Sequence, residues 1–173
     1  MKPHEQHRSA AHRHLKVAIV TVSTSRYEKK RRGVDFADEA GDVAEMETRR
    51  AGHAVVLRDL ISDDPAMLRR AVKSFLTGKG DVLLFTGGTG LSPRDITVET
   101  VRPYFDKELE GFGELVRRLG YEEIGSSAIL TRATAGVARG KLIVCMPGSP
   151  GGVRTAMKAS VNEFPHMVFI AKG

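Results

Sequence analysis

The segment that decides the fold of this chain is Leu83-Leu84-Phe85-Thr86-Gly87-Gly88-Thr89-Gly90-Leu91-Ser92-Pro93-Arg94-Asp95. Its apolar beginning predicts a buried strand, and the residues from Asp95 to Val101 predict a short helix. Between the two lies a turn that contains three glycines. Backbone N–H groups can surround an anion where no Cβ interferes, and a helix N-terminus adds the positive end of its dipole. The turn is therefore a candidate phosphate site.

The glycine turn alone leaves two interpretations open. Its spacing is neither that of the dinucleotide motif G-x-G-x-x-G nor that of a P-loop, which ends in Gly-Lys-Ser/Thr. The alternative to a phosphate site is a tight strand-to-helix connection that binds nothing.

Length and composition indicate one globular domain. The chain has 173 residues, of which 41% are hydrophobic and 28% charged, and no apolar run approaches the length of a membrane span. The first residues are charged and lack the apolar centre of a secretory signal. The single cysteine, Cys145, lies inside an apolar run and can form no internal disulfide, which suits a reducing compartment. We expect a cytoplasmic protein without a membrane anchor.

The positive charge is concentrated in two short segments. The net charge is +6, to which residues 1–16 contribute +3 and the run Lys29-Lys30-Arg31-Arg32 contributes +4. The remainder carries no broad basic face, so the charge pattern does not favour nucleic-acid binding through the lysine-arginine run. Residues 1–14 contain four histidines and predict a flexible basic tail, whose histidines could capture a metal adventitiously. Residues 15–173 form the predicted domain.

Strand and helix patterns alternate along the domain. The predicted elements are a strand at Leu15–Val22, a helix at Asp35–Ala51, a strand at His53–Leu57, a helix after the Asp64-Pro65 cap, a strand at Asp81–Phe85, a short helix at Asp95–Val101, a hairpin from Ala135 to Val144 and a helix from Val153. Tyr27 to Gly33 predicts an exposed mobile loop, and Gly111 and Gly113 predict a bend or close packing. This order favours a three-layer α/β/α sandwich with a Rossmann-like, mostly parallel sheet and a short hairpin at one end.

Polar loops follow the predicted strands and should meet at one edge of the sheet. They contain Ser23 and Ser25, which are candidate cofactor-binding residues, then Asp63, then the glycine turn with Asp95, and finally Pro147 to Gly152. Two aspartates beside a phosphate loop suit a Mg-nucleotide site, because Mg²⁺ takes one or two carboxylates together with substrate phosphates. Asp95 could instead cap a helix, and Asp63 could be a solvated turn residue. The last loop could be a plain connection.

Five motifs together resemble one known family. They are Thr86-Gly87-Gly88-Thr89-Gly90, Asp95-x-Thr97, Glu110-Gly111-Phe112-Gly113-Glu114, Thr131-Arg132-x-x-x-Gly136 and Met146-Pro147-Gly148-Ser149-Pro150. From about Leu15 to the last helix the chain is similar to the molybdenum cofactor biosynthesis protein B / Mog family (MoaB/MogA), whose domain also occurs in gephyrin. The resemblance implies a Rossmann-like domain that assembles as homotrimers or homohexamers, with other proteins of the molybdenum-cofactor pathway as further candidate partners.

The resemblance also implies ligands and a reaction. The ligand is molybdopterin, a pterin dithiolene with a phosphate, and active members use ATP and Mg²⁺ to form adenylyl-molybdopterin and pyrophosphate. Asp63 and Asp95 are the carboxylates that the resemblance associates with Mg-ATP and catalysis. The residues that it places in contact with nucleotide or pterin are Thr86, Gly87, Gly88, Thr89, Gly90, Thr131, Arg132, Pro147, Gly148 and Ser149.

Two positions depart from the family pattern. Many relatives have an aspartate where this chain has Thr24, and many open the first helix with Asp-x-Ser-Gly, for which the nearest match is Asp42-Val43-Ala44-Glu45. Two hypotheses follow from the resemblance. The chain is either a molybdopterin adenylyltransferase or a non-catalytic molybdopterin-binding or scaffold protein of the same pathway.

Overall fold

Six strands build the sheet at the centre of this computed structural model, which describes residues 14–173. The strands are β1 (Lys16–Val22), β2 (Ala54–Ile61), β3 (Val82–Thr86), β4 (Lys107–Glu108), β5 (Thr134–Ala138) and β6 (Lys141–Met146). They lie in the order β2-β1-β3-β6-β5-β4, with β5 antiparallel to both of its neighbours.

Helices cover both faces of this sheet. They are α1 (Thr24–Arg31), α2 (Glu39–Arg50), α3 (Pro65–Thr77), α4 (Thr97–Val101), α5 (Glu110–Ile124), α6 (Pro150–Ser160) and α7 (Phe164–Lys172), with short 3₁₀ helices at Arg102–Tyr104, Gly125–Leu130 and Val161–Glu163. Helices α2, α5, α6 and α7 contribute to one apolar core, while α3 and α4 contribute to the other. The predicted α/β/α architecture is confirmed.

The alternation of side chains along β1 explains why both faces are covered. Val17 and Ile19 belong to the first core, and Ala18 and Val20 belong to the second. Apart from Lys16 and Thr21, β1 is apolar, and such a strand is buried on both faces, as in the parallel part of a doubly covered sheet. The hairpin between β5 and β6 closes through Arg139 and Gly140, which both have positive φ, as a tight two-residue hairpin turn requires.

Two predictions in the first third of the chain are wrong. The segment predicted as a mobile loop from Tyr27 is helix α1, which buries none of its side chains and therefore has no apolar stripe. Strand β2 does not end at Leu57 but continues to Ile61, because the charge of Arg58 is neutralised by three acids of α2 and its cap.

Boundaries later in the chain also differ from the prediction. Helix α4 begins at Thr97 rather than Asp95, and α6 begins at Pro150 rather than Val153. Gly111 and Gly113 lie in the regular helix α5 and mark no bend. The expected close packing is correct for Gly113, where an added Cβ would come within 2.7 Å of the Ala133 carbonyl oxygen.

The basic tail predicted for residues 1–14 lies outside the described residues except for His14, whose Nδ1 is 2.6 Å from the Gly52 carbonyl oxygen. Within residues 14–173, none of the helices combines the length and apolar character needed to cross a membrane.

Candidate functional site

The loops that follow β1, β2, β3 and β6 meet at the carboxyl edge of the sheet, as expected. Ser23, which follows β1, donates its backbone N–H to the carbonyl oxygen of Ile61 at the end of β2, with a distance of 2.9 Å. Gly87, which follows β3, donates its N–H to the carbonyl oxygen of Met146 at the end of β6, with a distance of 3.0 Å. These hydrogen bonds join the four loops in two neighbouring pairs along the edge.

The glycine turn, Gly87 to Gly90, can be built only with glycine at its first two positions. Gly87 has a φ of +102° and Gly88 a φ of +64°. A Cβ on Gly87 would collide with the Val22 carbonyl oxygen, and one on Gly88 would collide with Thr97 Oγ1. The backbone of Gly87 therefore packs directly against the backbone of Val22, and that of Gly88 against the side chain of Thr97.

Asp63 lies over this turn and also fixes the start of α1. Its Oδ2 accepts hydrogen bonds from the backbone N–H of Thr24 at 2.9 Å and from Thr24 Oγ1 at 2.8 Å. Its Oδ1 lies 3.0 Å from the point that a Cβ of Gly88 would occupy. Helix α3 is capped by the neighbouring Asp64 instead, whose Oδ1 accepts from the N–H of Met67 at 2.8 Å. Asp63 is therefore more than a solvated turn residue.

Asp95 also faces the turn and does not cap a helix. The residue before α4 is Ile96, and α4 has no side-chain cap. Asp95 Oδ2 accepts a hydrogen bond from the N–H of Ser92 at 2.9 Å and lies 2.8 Å from the position of a Cβ on Gly90. The capping interpretation of Asp95 is wrong, and the two aspartates approach the same turn from opposite ends.

The free oxygens of these aspartates suit a divalent cation that also binds phosphates. Within residues 14–173, neither Asp63 Oδ1 nor Asp95 Oδ1 accepts a hydrogen bond. This part of the chain contains no cluster of three His, Cys, Asp or Glu side chains that could hold a metal by itself. Mg²⁺ often uses one or two carboxylates and takes its remaining ligands from phosphates and water. The residues present therefore fit Mg²⁺ bound together with a nucleotide.

The side chain of Arg132 contacts the backbone of the glycine turn. The guanidinium forms a bidentate pair with the carboxylate of Glu99, with Nη1–Oε1 and Nη2–Oε2 distances of 2.5 and 3.1 Å. Its Nε donates to the carbonyl oxygen of Thr89 at 3.3 Å. The hydrogen bond from Arg132 holds the pKa of Glu99 below its ordinary value. Glu99 is a residue of this site that sequence reasoning missed, because it lies on a short amphipathic helix with no motif of its own.

The remaining predicted contact residues fall into three groups. Ser23 caps α1, with its Oγ 3.4 Å from the N–H of Arg26, and Ser25 lies beside it with an Oγ–Oγ distance of 3.4 Å. Thr86 and Thr89 are buried as whole residues, so neither side chain is open to a ligand. Ser149 caps α6 by accepting from the N–H of Gly152 at 3.2 Å.

A cavity of about 260 Å³ opens beside the second glycine loop. Its lining includes Thr131, Pro147 and Ser149 from the predicted set, together with apolar side chains of α5 such as Val116 and Ile124. An apolar groove of about 380 Å³ between β2 and α3 is larger, but its lining includes none of the predicted site residues. The smaller cavity is the better candidate for the organic part of a phosphate-bearing ligand.

A buried polar chain beneath the turn was also missed from the sequence. Thr86 Oγ1 donates to Thr21 Oγ1 at 3.3 Å, and Thr21 Oγ1 donates to Asp38 Oδ2 at 2.7 Å. Asp38 caps α2 and accepts from Arg58 Nη2 at 2.8 Å. Helix α2 is therefore capped by Asp38, and Asp42, where the nearest match to the family pattern begins, lies in its first turn.

Two further side chains near the site, Thr97 and Cys145, are buried. The Thr97 side chain is fully buried, and its hydroxyl has no hydrogen-bond partner within residues 14–173. Burial raises the pKa of the Cys145 thiol, which excludes a thiolate nucleophile at neutral pH. The site therefore provides carboxylates, backbone N–H groups and hydroxyls, and its chemistry is that of anion and cation binding.

Comparisons with known proteins agree with this chemistry. Residues 18–166 match a family model described as a probable molybdopterin binding domain. The chain is 38% identical to molybdenum cofactor biosynthesis protein B of Bacillus cereus over 167 residues, which cover 95% of each chain. It is 37% identical to a probable molybdopterin adenylyltransferase of Methanocaldococcus jannaschii over 157 residues, which cover 90% of this chain and 93% of that one.

Solved structures show the same similarity in three dimensions. The tungsten cofactor synthesizing protein MoaB of Pyrococcus furiosus superposes with a TM-score of 0.83 and 34% identity, covering 94% of this chain and 100% of that one. The molybdopterin biosynthesis enzyme MoaB of Thermus thermophilus gives a TM-score of 0.81 and 31% identity, covering 92% and 97% of the two chains.

Proposed function

This chain belongs to the MoaB/MogA family of molybdopterin-binding domains, and on that basis we propose that it is a molybdopterin adenylyltransferase of molybdenum cofactor biosynthesis. In the proposed reaction, a phosphate oxygen of molybdopterin attacks the α-phosphorus of ATP. The bond from that phosphorus to the bridging oxygen breaks, and pyrophosphate leaves with the electron pair. The products are adenylyl-molybdopterin and pyrophosphate.

The observation that carries this proposal is the approach of Asp63 and Asp95 to one glycine turn. Phosphate transfer requires mainly positioning and charge neutralisation, so it needs no dedicated protein nucleophile. The turn and the N-terminus of α6 would bind phosphate oxygens through backbone N–H groups. Asp63 and Asp95 would hold Mg²⁺, which when bound would offset the negative charge that accumulates on the phosphates.

One observation favours a second candidate, a protein that binds molybdopterin without reacting it. Asp63 Oδ2 is already occupied by both donors of Thr24, so the carboxylate has a structural use that is independent of catalysis. In that case the same loops bind the pterin phosphate, and the protein serves as a carrier or scaffold within the pathway.

The decisive experiment is a direct assay for product. The protein is incubated with molybdopterin, ATP and Mg²⁺, and adenylyl-molybdopterin and pyrophosphate are quantified. We expect product, and we expect Asp95→Asn to lower its rate about 100-fold, since the substitution removes a charge beside the phosphates. The matched control is Asp64→Asn, which changes an adjacent acid that caps α3. Absence of product, with pterin affinity unchanged in Asp95→Asn, would support the binding protein.

We also propose that the chain functions as a homotrimer or homohexamer. Large apolar side chains are exposed near the end of α5 and in the 3₁₀ helix that follows it, and Ile129 is the most exposed of them at 79%. Clustered exposed apolar residues are typical of protein interfaces. Light scattering coupled to size-exclusion chromatography measures the mass directly, and a monomer at all concentrations would contradict this proposal.

A further inference from the structure

One guanidinium holds both ends of the segment that carries Asp95. Arg132 Nε donates to the carbonyl oxygen of Thr89, and Nη2 approaches the carbonyl oxygen of Asp95 at 3.5 Å. Arg132 belongs to the connection before β5, which is distant in sequence from the turn. Hydrogen bonds inside the segment are short in range, such as Asp95 N–H to the carbonyl oxygen of Ser92 at 2.8 Å. Arg132 therefore ties this segment to the body of the domain.

Glu99 fixes the guanidinium in this position. Its two carboxylate oxygens receive Nη1 and Nη2 of Arg132. Bidentate pairing fixes the plane of the guanidinium as well as its location. Both side chains are partly exposed, at 32% for Arg132 and 53% for Glu99, so the pair itself adds little to folding stability. Its structural consequence is the position of the segment from Thr89 to Asp95.

We propose that Glu99 is a positioning residue that acts through Arg132 to hold Asp95 over the glycine turn. This role rests on the proposed function to the extent that Asp95 takes part in the reaction. It differs from the role that the family resemblance implied for Arg132, which was direct contact with nucleotide or pterin. Arg132 has five N–H donors, and four of them are directed at Glu99, Thr89 and Asp95. Little capacity remains for a ligand phosphate.

The chain contains a matched control for this pair. Arg102 and Glu108 also form a bidentate pair, with distances of 2.8 and 2.7 Å, and line the same cavity of about 440 Å³ as Arg132 and Glu99. Neither of them makes a hydrogen bond to the glycine turn. Glu99→Gln and Glu108→Gln therefore remove the same charge from the same cavity, but only the first loosens the guanidinium that holds Asp95.

The position of the segment can be measured without any substrate. The chain has no tryptophan, and Leu91 in the middle of the segment is 68% exposed, so Leu91→Trp introduces a single reporter. In this background we expect Glu99→Gln to increase acrylamide quenching and lower the anisotropy of the indole, and Glu108→Gln to change neither. Trypsin provides a second measurement in the natural background, because Arg94 in the same segment is exposed. Glu99→Gln should accelerate cleavage after Arg94, identified by fragment mass, and Glu108→Gln should not.

Kinetics then connect the position of the segment to the reaction. Displacement of a catalytic group by about 1 Å can cost about 100-fold in rate, so we expect Glu99→Gln to lower kcat about tenfold with KM for ATP nearly unchanged. Glu99→Asp, which keeps the charge, should restore part of kcat.

Two results would overturn the proposal. The first is unchanged quenching and unchanged tryptic cleavage in Glu99→Gln. The second is a higher affinity of Glu99→Gln for ATP, which would mean that the released Arg132 binds phosphate directly. If the unsubstituted protein makes no product while Glu99→Gln still loosens the segment, the proposed reaction fails and the positioning by Glu99 stands.

Discussion

Gly87 and Gly148 pack backbone against backbone, and this contact joins the two glycine loops of the site. A Cβ on Gly148 would lie 3.1 Å from the Cα of Gly87. Gly87 follows β3 and Gly148 follows β6, which are neighbours in the sheet. The two candidate anion loops are therefore one structural unit, and a change in either loop should affect the other.

Alanine substitutions at three glycines should have graded effects on stability. Gly87→Ala places a Cβ at a φ of +102° and into the Val22 carbonyl oxygen, so we expect a loss of about 3 kcal/mol in the free energy of unfolding. Gly148→Ala tightens one contact and should cost about 1 kcal/mol. Gly151 in the first turn of α6 has open space around its Cβ position, so Gly151→Ala should be neutral or stabilising. Urea denaturation measures all three, and an equal loss at Gly148 and Gly151 would contradict the packing argument.

Two buried threonines near the turn should respond differently to the loss of a hydroxyl. Thr21 Oγ1 links Thr86 to Asp38, whereas Thr97 Oγ1 has no partner within residues 14–173. Removal of a buried partner leaves the other groups unsatisfied and costs about 1–3 kcal/mol, so we expect that loss for Thr21→Val. Thr97→Val should change the free energy of unfolding by less than about 1 kcal/mol. Equal losses in thermal or urea denaturation would mean that Thr97 has a partner in solution.

The sequence predicted the parts of this structure that depend on apolar pattern and on glycine. Strands β1 and β3 are nearly continuously apolar, and Asp64 caps α3 with Pro65 at its first position, as predicted. Helix α1 was missed because it buries no side chain, and its N-terminus depends on Asp63, which lies 39 residues away from Thr24. The end of β2 was missed because Arg58 looks like a loop residue until its three acidic partners are known.

The same distinction applies to the candidate site. Asp63, Asp95 and the glycine turn could be found because each follows a predicted strand. Glu99 and Asp38 could not be found in this way, because their importance comes from Arg132 and Arg58, which are 33 and 20 residues away in sequence. Contacts of this kind depend on packing and leave no local pattern.

Arg58 should be more important for stability than its neighbour Arg49. Arg58 lies among Asp38, Asp42 and Glu45 with a side chain only 26% exposed, whereas Arg49 is 57% exposed and pairs with Glu45 one turn away. Arg58→Met leaves three acids facing one another, and we expect a loss of about 2 kcal/mol after allowance for solvent screening. Arg49→Met should cost less than about 0.5 kcal/mol. Urea denaturation compares them, and similar losses would show that the Arg58 cluster is screened as completely as a surface pair.

Stability should fall in acid because several paired glutamates have lowered pKa values. The hydrogen bond from Arg102 holds the pKa of Glu108 below its ordinary value of 4.5, and the hydrogen bond from Arg132 does the same for Glu99. The unfolded chain therefore takes up protons first as pH falls. The stabilisation is fully present above a pH near 4.5 and is lost as the pH falls through the lower pKa values of the folded state. The test is to measure the urea midpoint of unfolding from about pH 6 down to about pH 3. The midpoint should fall less steeply with pH in Glu108→Gln than in the unsubstituted protein.

Two substitutions of Asp63 should distinguish its structural role, in which Oδ2 fixes the start of α1, from its proposed role in the reaction, in which the free Oδ1 carries charge beside the turn. Asp63→Asn keeps an oxygen that can accept from the N–H and hydroxyl of Thr24, so helix α1 should stay in place and the midpoint of unfolding should change little. The substitution removes the negative charge beside Gly88, so adenylyl-molybdopterin formation should fall about 100-fold. Asp63→Ala removes both acceptors, leaves the Thr24 N–H without its partner, and should additionally cost about 1–3 kcal/mol of stability. The rate of product formation and the free energy of unfolding are measured in both variants. If activity falls only where stability falls, Asp63 has only the structural role of fixing α1.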